Sequence, residues 1–514
     1  MNESNSVTIG LDIGTTSVKA VAADSAGSVI ASTRIEHPAL TPSPGVLEHD
    51  ADLAWREGAR VAAVEVGAGA VSAGYRVAGL NVAAMVPSLC AVDVAGKPVS
   101  PGLLYGDRRA VAAAEAAGEP SGRGLSPAED GEFLRMLRWL ANEYPDAAGY
   151  WPAQAVANAS LCGTGALDTV TAMTTLPVFD FTGWDAAVCE SVGVDPAQLP
   201  TIAPGSTAVG TVASGGEFDP DGVLEGAAVG GGVIDAFAEQ MVAGADSVGD
   251  VLVIVGATLI TWACIDEWKE FPGLWTVPHS VEGLTLVGGP SNAGGIAKNW
   301  AEAVLLPPSS LDGGGTGVSK PGISKPGIRN PWEVPVFLPH VRGERVPLHD
   351  VERRGGFAGL SVAQGPDEMW RSVYEASGFT IRRNLDLADL LPATARRIVA
   401  TGGGSADPHW MQAVADATGL PVHTVAEPKG AALGSAYVAR AACGLEDGIG
   451  DAGRWSGEGP VFEPDPRWVE ACNGRYELFV ELSGAPFDPS APAQDPPGGP
   501  WQEIASETSS RDRT

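Results

Sequence analysis

Two strand-to-glycine turns, one in each half of the chain, constrain the fold more than any other feature of this sequence. The first is the apolar run 7–9 leading into "GLDIGTTSVKA" at 10–20, and the second is the run 398–401 leading into "GGGS" at 402–405. Glycines let the backbone approach a ligand, and a turn lined by N–H groups and hydroxyls can bind an anion. We therefore predict two α/β domains, each with a sheet flanked by helices, that meet at a cleft and bind one nucleotide.

The alternation of short apolar runs with helical stretches supports the α/β class. Strands are predicted at 7–13, 19–24, 77–82, 89–93 and 250–259, and helices at 51–66 and 130–143. A chain of 514 residues is too long for one hydrophobic core. The boundary is placed near 245, which gives one domain at 1–245, a second at 246–445 and a C-terminal segment at 446–514.

Two segments are predicted to lie outside the packed cores. The stretch 309–331 carries the repeat "SKPGI-SKPGI", whose glycines and prolines exclude helix, so it is predicted to be a surface loop or partly disordered insertion. Its basic residues leave open a latch over the acidic body or at a subunit contact. The C-terminal segment is predicted to hold one helix, 466–482, and a disordered tail from about 485.

Composition excludes several classes of function. The net charge of -31 would repel a phosphate backbone, so nucleic acid is not an expected partner. The apolar runs are shorter than the roughly 20 residues that span a bilayer, and the start "MNESNSV" predicts no signal peptide. Six cysteines without CxxC spacing indicate reduced thiols, and so a cytoplasmic protein. A homodimer is left open.

Three stretches carry residue types suited to chemistry. Asp12 ends a strand, where its carboxylate could hold a hydrated Mg²⁺; the alternative is a β-hairpin turn with an acidic edge. Asp235 follows the glycine run of "VGGGVIDAFAEQM", where a lone carboxylate needs a partner or a function; the alternative is a helix cap. The "GGGS" turn has the form of a nucleotide cradle without a Walker A loop, and the alternative is a tight strand–helix turn.

Eight stretches, in one order along residues 7–440, resemble the FGGY family of carbohydrate kinases, whose fold is the actin-like, ribonuclease-H-like ATPase fold with a central interdomain cleft. They are "IGLDIGTTSVKAV", "GVLEHDADLAW", "PGLLYGDRRA", "VGGGVIDAFAEQM", "LTLVGGPSNAGGIAKNW", "VFLPHVRGERVPLHD", "MWRSVYEASGFTIRRNL", and "TGGGSADPHWMQAVADATGLPV" with "EPKGAALGSAYVA". Each match alone is weak, but eight in the family's order are specific.

The resemblance implies ATP and Mg²⁺ as cofactors and a small sugar as substrate. In it Asp235 is the general base, and Asp12 and Asp235 are the metal-binding carboxylates. The residues expected at ATP are Asp12, Gly14, Thr15, Thr16, Lys19, Gly256, Thr258, Gly402, Gly403, Gly404 and Ser405. The residues expected at the sugar are Met85, Val86, Pro87, Tyr105, Asp107, Arg108 and Asp235.

The chain departs from the family's pattern at four places. Ala257 stands where the second phosphate loop often has a hydroxyl, and Ala236 stands where an asparagine often follows the catalytic acid. Tyr105 replaces a tryptophan, and "NVAAMVPSL" at 81–89 lacks the Met-His pair frequent in xylulokinases. The expected substrate is a ketopentose such as xylulose or ribulose. The alternatives are a polyol or other C4–C6 sugar, and a catalytically weak regulatory relative.

Overall fold

The computed structural model describes residues 5–43, 45–105, 107–110, 131–204, 206–215, 218–279, 281, 283–305, 330–350, 352–426 and 430–484. Of the predicted insertion at 309–331, only the last two residues fall within these ranges. The predicted tail from about 485 lies outside the described residues.

The strands of the described chain are β1 (Ser6–Ile13), β2 (Ser17–Ala23), β3 (Val29–Glu36), β4 (Glu48–His49), β5 (Arg76–Ala84), β6 (Ser88–Val92), β7 (Gly102–Leu104), β8 (Gly149–Trp151), β9 (Ala166–Asp168), β10 (Thr201–Ala203), β11 (Ala208–Thr211), β12 (Ala228–Gly230), β13 (Val233–Ile234), β14 (Asp250–Val255), β15 (Leu259–Ile265), β16 (Trp275–Pro278), β17 (Thr285–Ser291), β18 (Val336–Leu338), β19 (Gly356–Ala358), β20 (Arg397–Thr401), β21 (Val422–Val425) and β22 (Glu458–Phe462).

The α-helices of the same ranges are α1 (Gly58–Ser72), α2 (Glu132–Glu143), α3 (Ala153–Cys162), α4 (Thr169–Met173), α5 (Ala186–Ser191), α6 (Asp235–Met241), α7 (Gly295–Leu305), α8 (Pro366–Leu387), α9 (Pro408–Thr418), α10 (Gly430–Ala442) and α11 (Pro466–Ser483). A π-helical turn, Asp52–Glu57, continues directly into α1.

Most predicted elements are confirmed within a few residues, including β1, β2, β5, β6, α2 and α11. The strand predicted at 250–259 was too long, since β14 ends at Val255 and residues 256–258 reverse the chain into β15. Gly256, a glycine within this apolar run, was the sequence signal for the turn.

The first of two compact units contains residues up to Asp246 together with α10 and the residues after it to Gly457. Its main sheet has the order β11-β12-β5-β1-β2-β3, and a smaller sheet has the order β4-β7-β6-β8. Every residue of β1 is buried, and Thr8 Oγ1 donates a hydrogen bond to Ala436 O at 2.8 Å on α10. Sequence position had assigned α10 to the second domain, whereas its apolar face packs on the first sheet.

The second unit contains most of Ser247–Ala426 and the chain from Glu458 onward. Its sheet has the order β16-β17-β15-β14-β20-β21-β22. Helices α8 and α9 pack together against it, with Trp370, Tyr374 and Trp410 buried in the core. The two α8 aromatics, spaced i and i+4, are therefore core residues.

Both main sheets repeat one strand order. In the first unit the order is β3-β2-β1-β5-β12, and in the second it is β17-β15-β14-β20-β21. In each, an antiparallel hairpin (β1–β2 or β14–β15) is followed by a parallel neighbour, β5 or β20. The predicted α/β class is confirmed. The repeated strand order was not predicted from the sequence. Among the described residues, no helix has the length and apolar character needed to cross a bilayer.

Candidate active site

The β1–β2 turn places a buried carboxylate beside a lysine. Asp12 and Lys19 are register partners on the two strands, and Lys19 Nζ lies 3.3 Å from Asp12 Oδ2. Gly14 N donates to Ser17 O at 3.0 Å and closes the turn, in which Thr15 is partly buried and Thr16 is exposed. Burial raises the pKa of Asp12, and the Lys19 ammonium opposes that shift. The hairpin alternative is thus correct as geometry, and it leaves the hydroxyls available to a ligand.

A histidine and a tryptophan support this turn through a chain of hydrogen bonds. His49 Nε2 lies 2.8 Å from Thr15 O, and Trp55 Nε1 donates to His49 Nδ1 at 3.0 Å. Because Nδ1 accepts from Trp55, the proton of the neutral ring is on Nε2, which donates to Thr15. Burial lowers the pKa of His49, which keeps the ring neutral. The stretch "GVLEHDADLAW" is part of the family resemblance, but nothing in its residue pattern assigned a role to His49 or Trp55.

Asp235 is the first residue of α6 and is electrostatically coupled to the β1–β2 turn. Burial and the negative charge of Asp12 raise its pKa to about 6, while Lys19 opposes the shift. Its Oδ1 accepts a hydrogen bond from Ala236 N at 2.7 Å. Ile234 occupies the N-cap position, so Asp235 does not act as the helix cap. A carboxyl group that titrates near neutral pH suits a general base.

In the segment "YGDRR", the side chain of Tyr105 lies at the β1–β2 turn, and the side chain of Asp107 makes hydrogen bonds within the fold. The Tyr105 hydroxyl lies 3.3 Å from Thr15 Oγ1, which links this segment to the phosphate turn. Asp107 is buried, accepts from Leu47 N at 2.9 Å and pairs with Arg109 at 2.8 Å. Its carboxylate supports the fold here rather than standing open to a ligand. Arg108 is exposed, with its backbone N–H on Gly45 O at 2.7 Å.

The remaining predicted sugar residues, Met85, Val86 and Pro87, follow β5 directly. Met85 is buried, and the other two are partly buried. β5 is the parallel neighbour of both β1 and β13, so this segment leaves the same end of the sheet as Asp12 and Asp235. The wall that it forms there is apolar.

In the second unit, two glycine turns lie side by side at the carboxyl ends of β14 and β20. The β14–β15 turn is closed by Gly256 N on Thr258 O at 3.0 Å. Its carbonyls accept the first amides of α7, from Gly295 N to Gly256 O and from Ile296 N to Ala257 O, both at 2.9 Å. No acidic or basic side chain belongs to this turn.

The "GGGS" turn packs against the end of β14. Gly402 has φ +85°, a conformation that favours glycine, and a Cβ there would lie 2.8 Å from Val255 O. The space above Gly403 is open, since a Cβ there would meet no atom within 4 Å. Ser405 Oγ donates to Gly402 O at 2.8 Å, and Asp407 caps α9 through His409 N at 3.0 Å. The open face of this turn is therefore backbone rather than helix N-terminus.

Comparison with known proteins identifies the family to which the chain belongs. The family model "FGGY family of carbohydrate kinases, N-terminal domain" matches residues 7–241, and the model of the C-terminal domain matches residues 279–443. The xylulose kinase of Lactococcus lactis is 24% identical, over 92% of this chain and 96% of its own. The erythritol kinase of Brucella abortus is 26% identical, over 88% and 90%.

Among solved structures, xylulose kinase from Rhodospirillum rubrum is similar, with a TM-score of 0.77 and 25% identity over 93% of this chain and 98% of that one. The two units with repeated strand order thus form the actin-like ATPase fold of sugar kinases. The two family models together match more than half of the chain. The chain belongs to the FGGY family of carbohydrate kinases, enzymes that transfer a phosphoryl group from ATP to a sugar.

Proposed function

We propose that this enzyme phosphorylates a ketopentose, such as xylulose or ribulose, at a terminal hydroxyl. The observation that carries the proposal is the electrostatic coupling of Asp12, which is buried, to Asp235, which is partly buried and has a pKa of about 6. Xylulose is the substrate named for several relatives that match along most of both chains, among them those of Lactococcus lactis and Rhodospirillum rubrum, which favours a five-carbon ketose.

Asp235 is the proposed general base. In its ionised form it accepts the proton of the sugar hydroxyl while that oxygen bonds to the γ-phosphorus and the bond to the β-phosphate oxygen breaks. Phosphoryl transfer needs little covalent chemistry from the protein, so positioning and neutralisation of charge dominate. Lys19 and the hydroxyls of Thr15 and Thr16 are the proposed contacts of the phosphate oxygens.

The donor set of the first unit fits Mg²⁺. Burial raises the pKa of both Asp12 and Asp235, so each carboxylate lacks full compensation for its charge. Within the described residues, no group of three His, Cys, Asp or Glu side chains could hold a metal alone. Mg²⁺ commonly takes one or two carboxylates and fills its shell with water and phosphate oxygens. Asp12 would hold the ion, which would supply charge neutralisation at the phosphates, and the carboxylate of Asp235 would stay free to accept the proton.

The glycine turns of the second unit are the proposed nucleotide contacts. Gly256 and Thr258 offer backbone groups and one hydroxyl, and Gly402–Ser405 offer an open backbone above Gly403. Such a surface lets a planar base and ribose approach closely without a side chain between them. Thr258 is the proposed substitute for the hydroxyl that Ala257 lacks.

A polyol of four or five carbons is the second candidate substrate. Met85, Val86 and Pro87 form an apolar wall that pairs with few hydroxyls, and such a wall discriminates weakly between similar substrates. The erythritol kinase relative is consistent with this candidate. We therefore expect activity across several C4–C6 ketoses and polyols, with ketopentoses highest.

The test is sugar-dependent ADP release measured for xylulose, ribulose, erythritol and glycerol at saturating ATP. The highest kcat/KM is expected for a ketopentose, and activity on glycerol alone would contradict the proposal. Asp235→Asn should retain ATP binding and lose roughly 10²–10⁴-fold in kcat, because the amide cannot accept the proton. Equal turnover of the variant and the wild type would remove Asp235 from the mechanism.

A further inference from the structure

The glycine run ahead of Asp235 interrupts a strand pairing. β12 pairs with β5 up to Val229, and β13 resumes the pairing at Val233. Between them, Gly230–Gly232 pass β5 without a ladder, so their backbone groups need other partners. Asp235 begins α6 only two residues beyond Val233, so the path of this run determines where the carboxylate lies.

Three amide side chains bond to the backbone at this interruption, at Gly231, Gly232 and Val233. Gly232 N donates to Asn81 Oδ1 at 3.0 Å, and Asn158 Nδ2 donates to Gly231 O at 3.1 Å. Gln154 Nε2 donates to Ala84 O at 3.2 Å and, more weakly, to Val233 O at 3.5 Å. Asn81 lies on β5, and the other two lie one turn apart on α3.

All three side chains are completely buried. Burying a primary amide in a core is costly unless its hydrogen bonds are made, and leucine would fill such positions without that cost. The amide oxygens of Gln154 and Asn158 make no hydrogen bond within the described part of the chain. These two residues therefore act through their N–H groups, which donate to backbone carbonyls of the glycine run and its neighbours and, from Asn158 Nδ2, also to Ala166 O on β9 at 3.0 Å.

The hydrogen bonds of the three amides require glycine at two positions of the run. A Cβ on Gly230 would lie 2.4 Å from Asn81 Oδ1, so a side chain there would displace the amide. Gly232 has φ +108°, which side-chain-bearing residues rarely adopt. The conformation of "VGGGV" and the three amides thus require each other.

We propose that Asn81, Gln154 and Asn158, here called the amide clamp, are positioning residues that fix Asp235 for proton abstraction. This inference rests on the proposed function, because it assigns the clamp's purpose through Asp235. Without the clamp, the glycine run would sample several paths, and α6 would begin in more than one place. Among the described residues, no hydrogen bond joins the clamp to Asp235, so the proposed effect of the clamp runs through the backbone.

The first test compares Asn158→Leu with Ser160→Ala, a buried polar residue on the same helix whose hydroxyl donates to Ala157 O at 2.8 Å within α3. A displacement of about 1 Å can cost on the order of 10²-fold in rate, so Asn158→Leu should lower kcat by about 10- to 100-fold. KM for ATP and for the sugar should change by less than about threefold, because the clamp positions only the base. Ser160→Ala should behave like the wild type.

The second test uses conservative rescue at Asn81. Asn81→Asp keeps an oxygen for Gly232 N–H and a second one for the Ser435 hydroxyl, which now lies 3.1 Å from Asn81 Nδ2. Asn81→Leu keeps neither. The Asp variant should retain most of kcat, and the Leu variant should lose about as much as Asn158→Leu. If Asn158→Leu fails to fold, the comparison of Asn81→Asp with Asn81→Leu tests the proposal instead.

Amide hydrogen exchange of the segment 228–241 provides a readout that needs no turnover. Exchange should increase in Asn158→Leu and Asn81→Leu and stay unchanged in Ser160→Ala. Unchanged kcat in folded Leu variants, or unchanged exchange in this segment, would overturn the inference. A wild-type chain that phosphorylates no sugar would instead refute the proposed function, while the exchange result would still decide whether the clamp orders the run.

Discussion

The β1–β2 turn and the β14–β15 turn occupy equivalent places in two sheets of the same strand order, but they carry different chemistry. Both have the form Gly-x-Thr. Two residues before the glycine, the first turn has the buried carboxylate of Asp12 and the second has Ile254, and three residues after the threonine the first has Lys19 and the second has Thr261. One backbone form therefore serves a charged site in one unit and a neutral backbone cradle in the other.

The two turns also differ in what holds them. The Thr15 carbonyl accepts from the side chain of His49, whereas the Gly256 and Ala257 carbonyls accept from backbone amides of α7. A turn that places charges on phosphate must be fixed accurately, and a side chain with a defined tautomer provides that. The second turn, for which we propose only contact with the nucleotide, needs no such support. We infer that rate depends on the first turn and nucleotide affinity on the second.

Making the first turn neutral, like the second, should have the largest effect. Asp12→Asn removes one buried carboxylate from the proposed Mg²⁺ and phosphate site, and we expect sugar-dependent turnover to fall by about 10²–10³-fold. The measurement is kcat at saturating substrates. Asp24→Asn, at the other end of β2, changes the same residue type in an exposed turn and should leave the rate unchanged. A similar loss in both variants would contradict the assignment.

Removing the support of the first turn should have the next largest effect. His49→Leu deletes the donor to Thr15 O, and outer-shell partners of this kind typically contribute 10–100-fold, so kcat/KM for ATP should fall by about tenfold or more. His49→Gln, whose amide can donate to Thr15 and accept from Trp55, should recover part of that loss. Equal activity of the Leu and Gln variants would show that His49 only fills space.

The two turns also show which features of the structure could be predicted from the sequence and which could not. The β1–β2 turn, the "GGGS" turn and the α/β class are local patterns, so they were predicted from short stretches, whereas the β14–β15 turn lies inside a predicted strand. The His49–Thr15 bond spans 34 residues and the Asn81–Ser435 bond spans 354, and no local pattern encodes such contacts. Asp107 was predicted at the sugar from its motif alone, while its hydrogen bonds to Leu47 and Arg109 depend on the folded chain.

The pH dependence should follow Asp235. Burial and Asp12 raise its pKa from 3.8 to about 6, so the ionised base forms only as the pH rises through about 6. Activity should therefore be lost as the pH falls, and one pH unit below the pKa kcat/KM for the sugar should be about tenfold under its plateau. The residual rate of Asp235→Asn should lack this acid limb. An acid limb centred near 4 would contradict the coupling.

The smallest effect is expected in the second unit. A Cβ on Gly403 meets no protein atom within 4 Å, so Gly403→Ala should fold normally and intrude only on a bound nucleotide. We expect a few-fold rise in KM for ATP with kcat unchanged. Gly474→Ala, another glycine with open space, is the matched control and should change neither constant. A fall in kcat without a change in KM would reverse the division of roles between the two turns.

The most direct test of the central claim follows the fate of the γ-phosphoryl group by ³¹P NMR. Wild-type enzyme with ATP, Mg²⁺ and xylulose or ribulose should produce ADP and a phosphomonoester in equal amounts, and neither should form at a comparable rate without the sugar. Asp235→Asn, under the same conditions, should form the ester far more slowly. ADP and inorganic phosphate appearing at the same rate with and without the sugar would contradict the account.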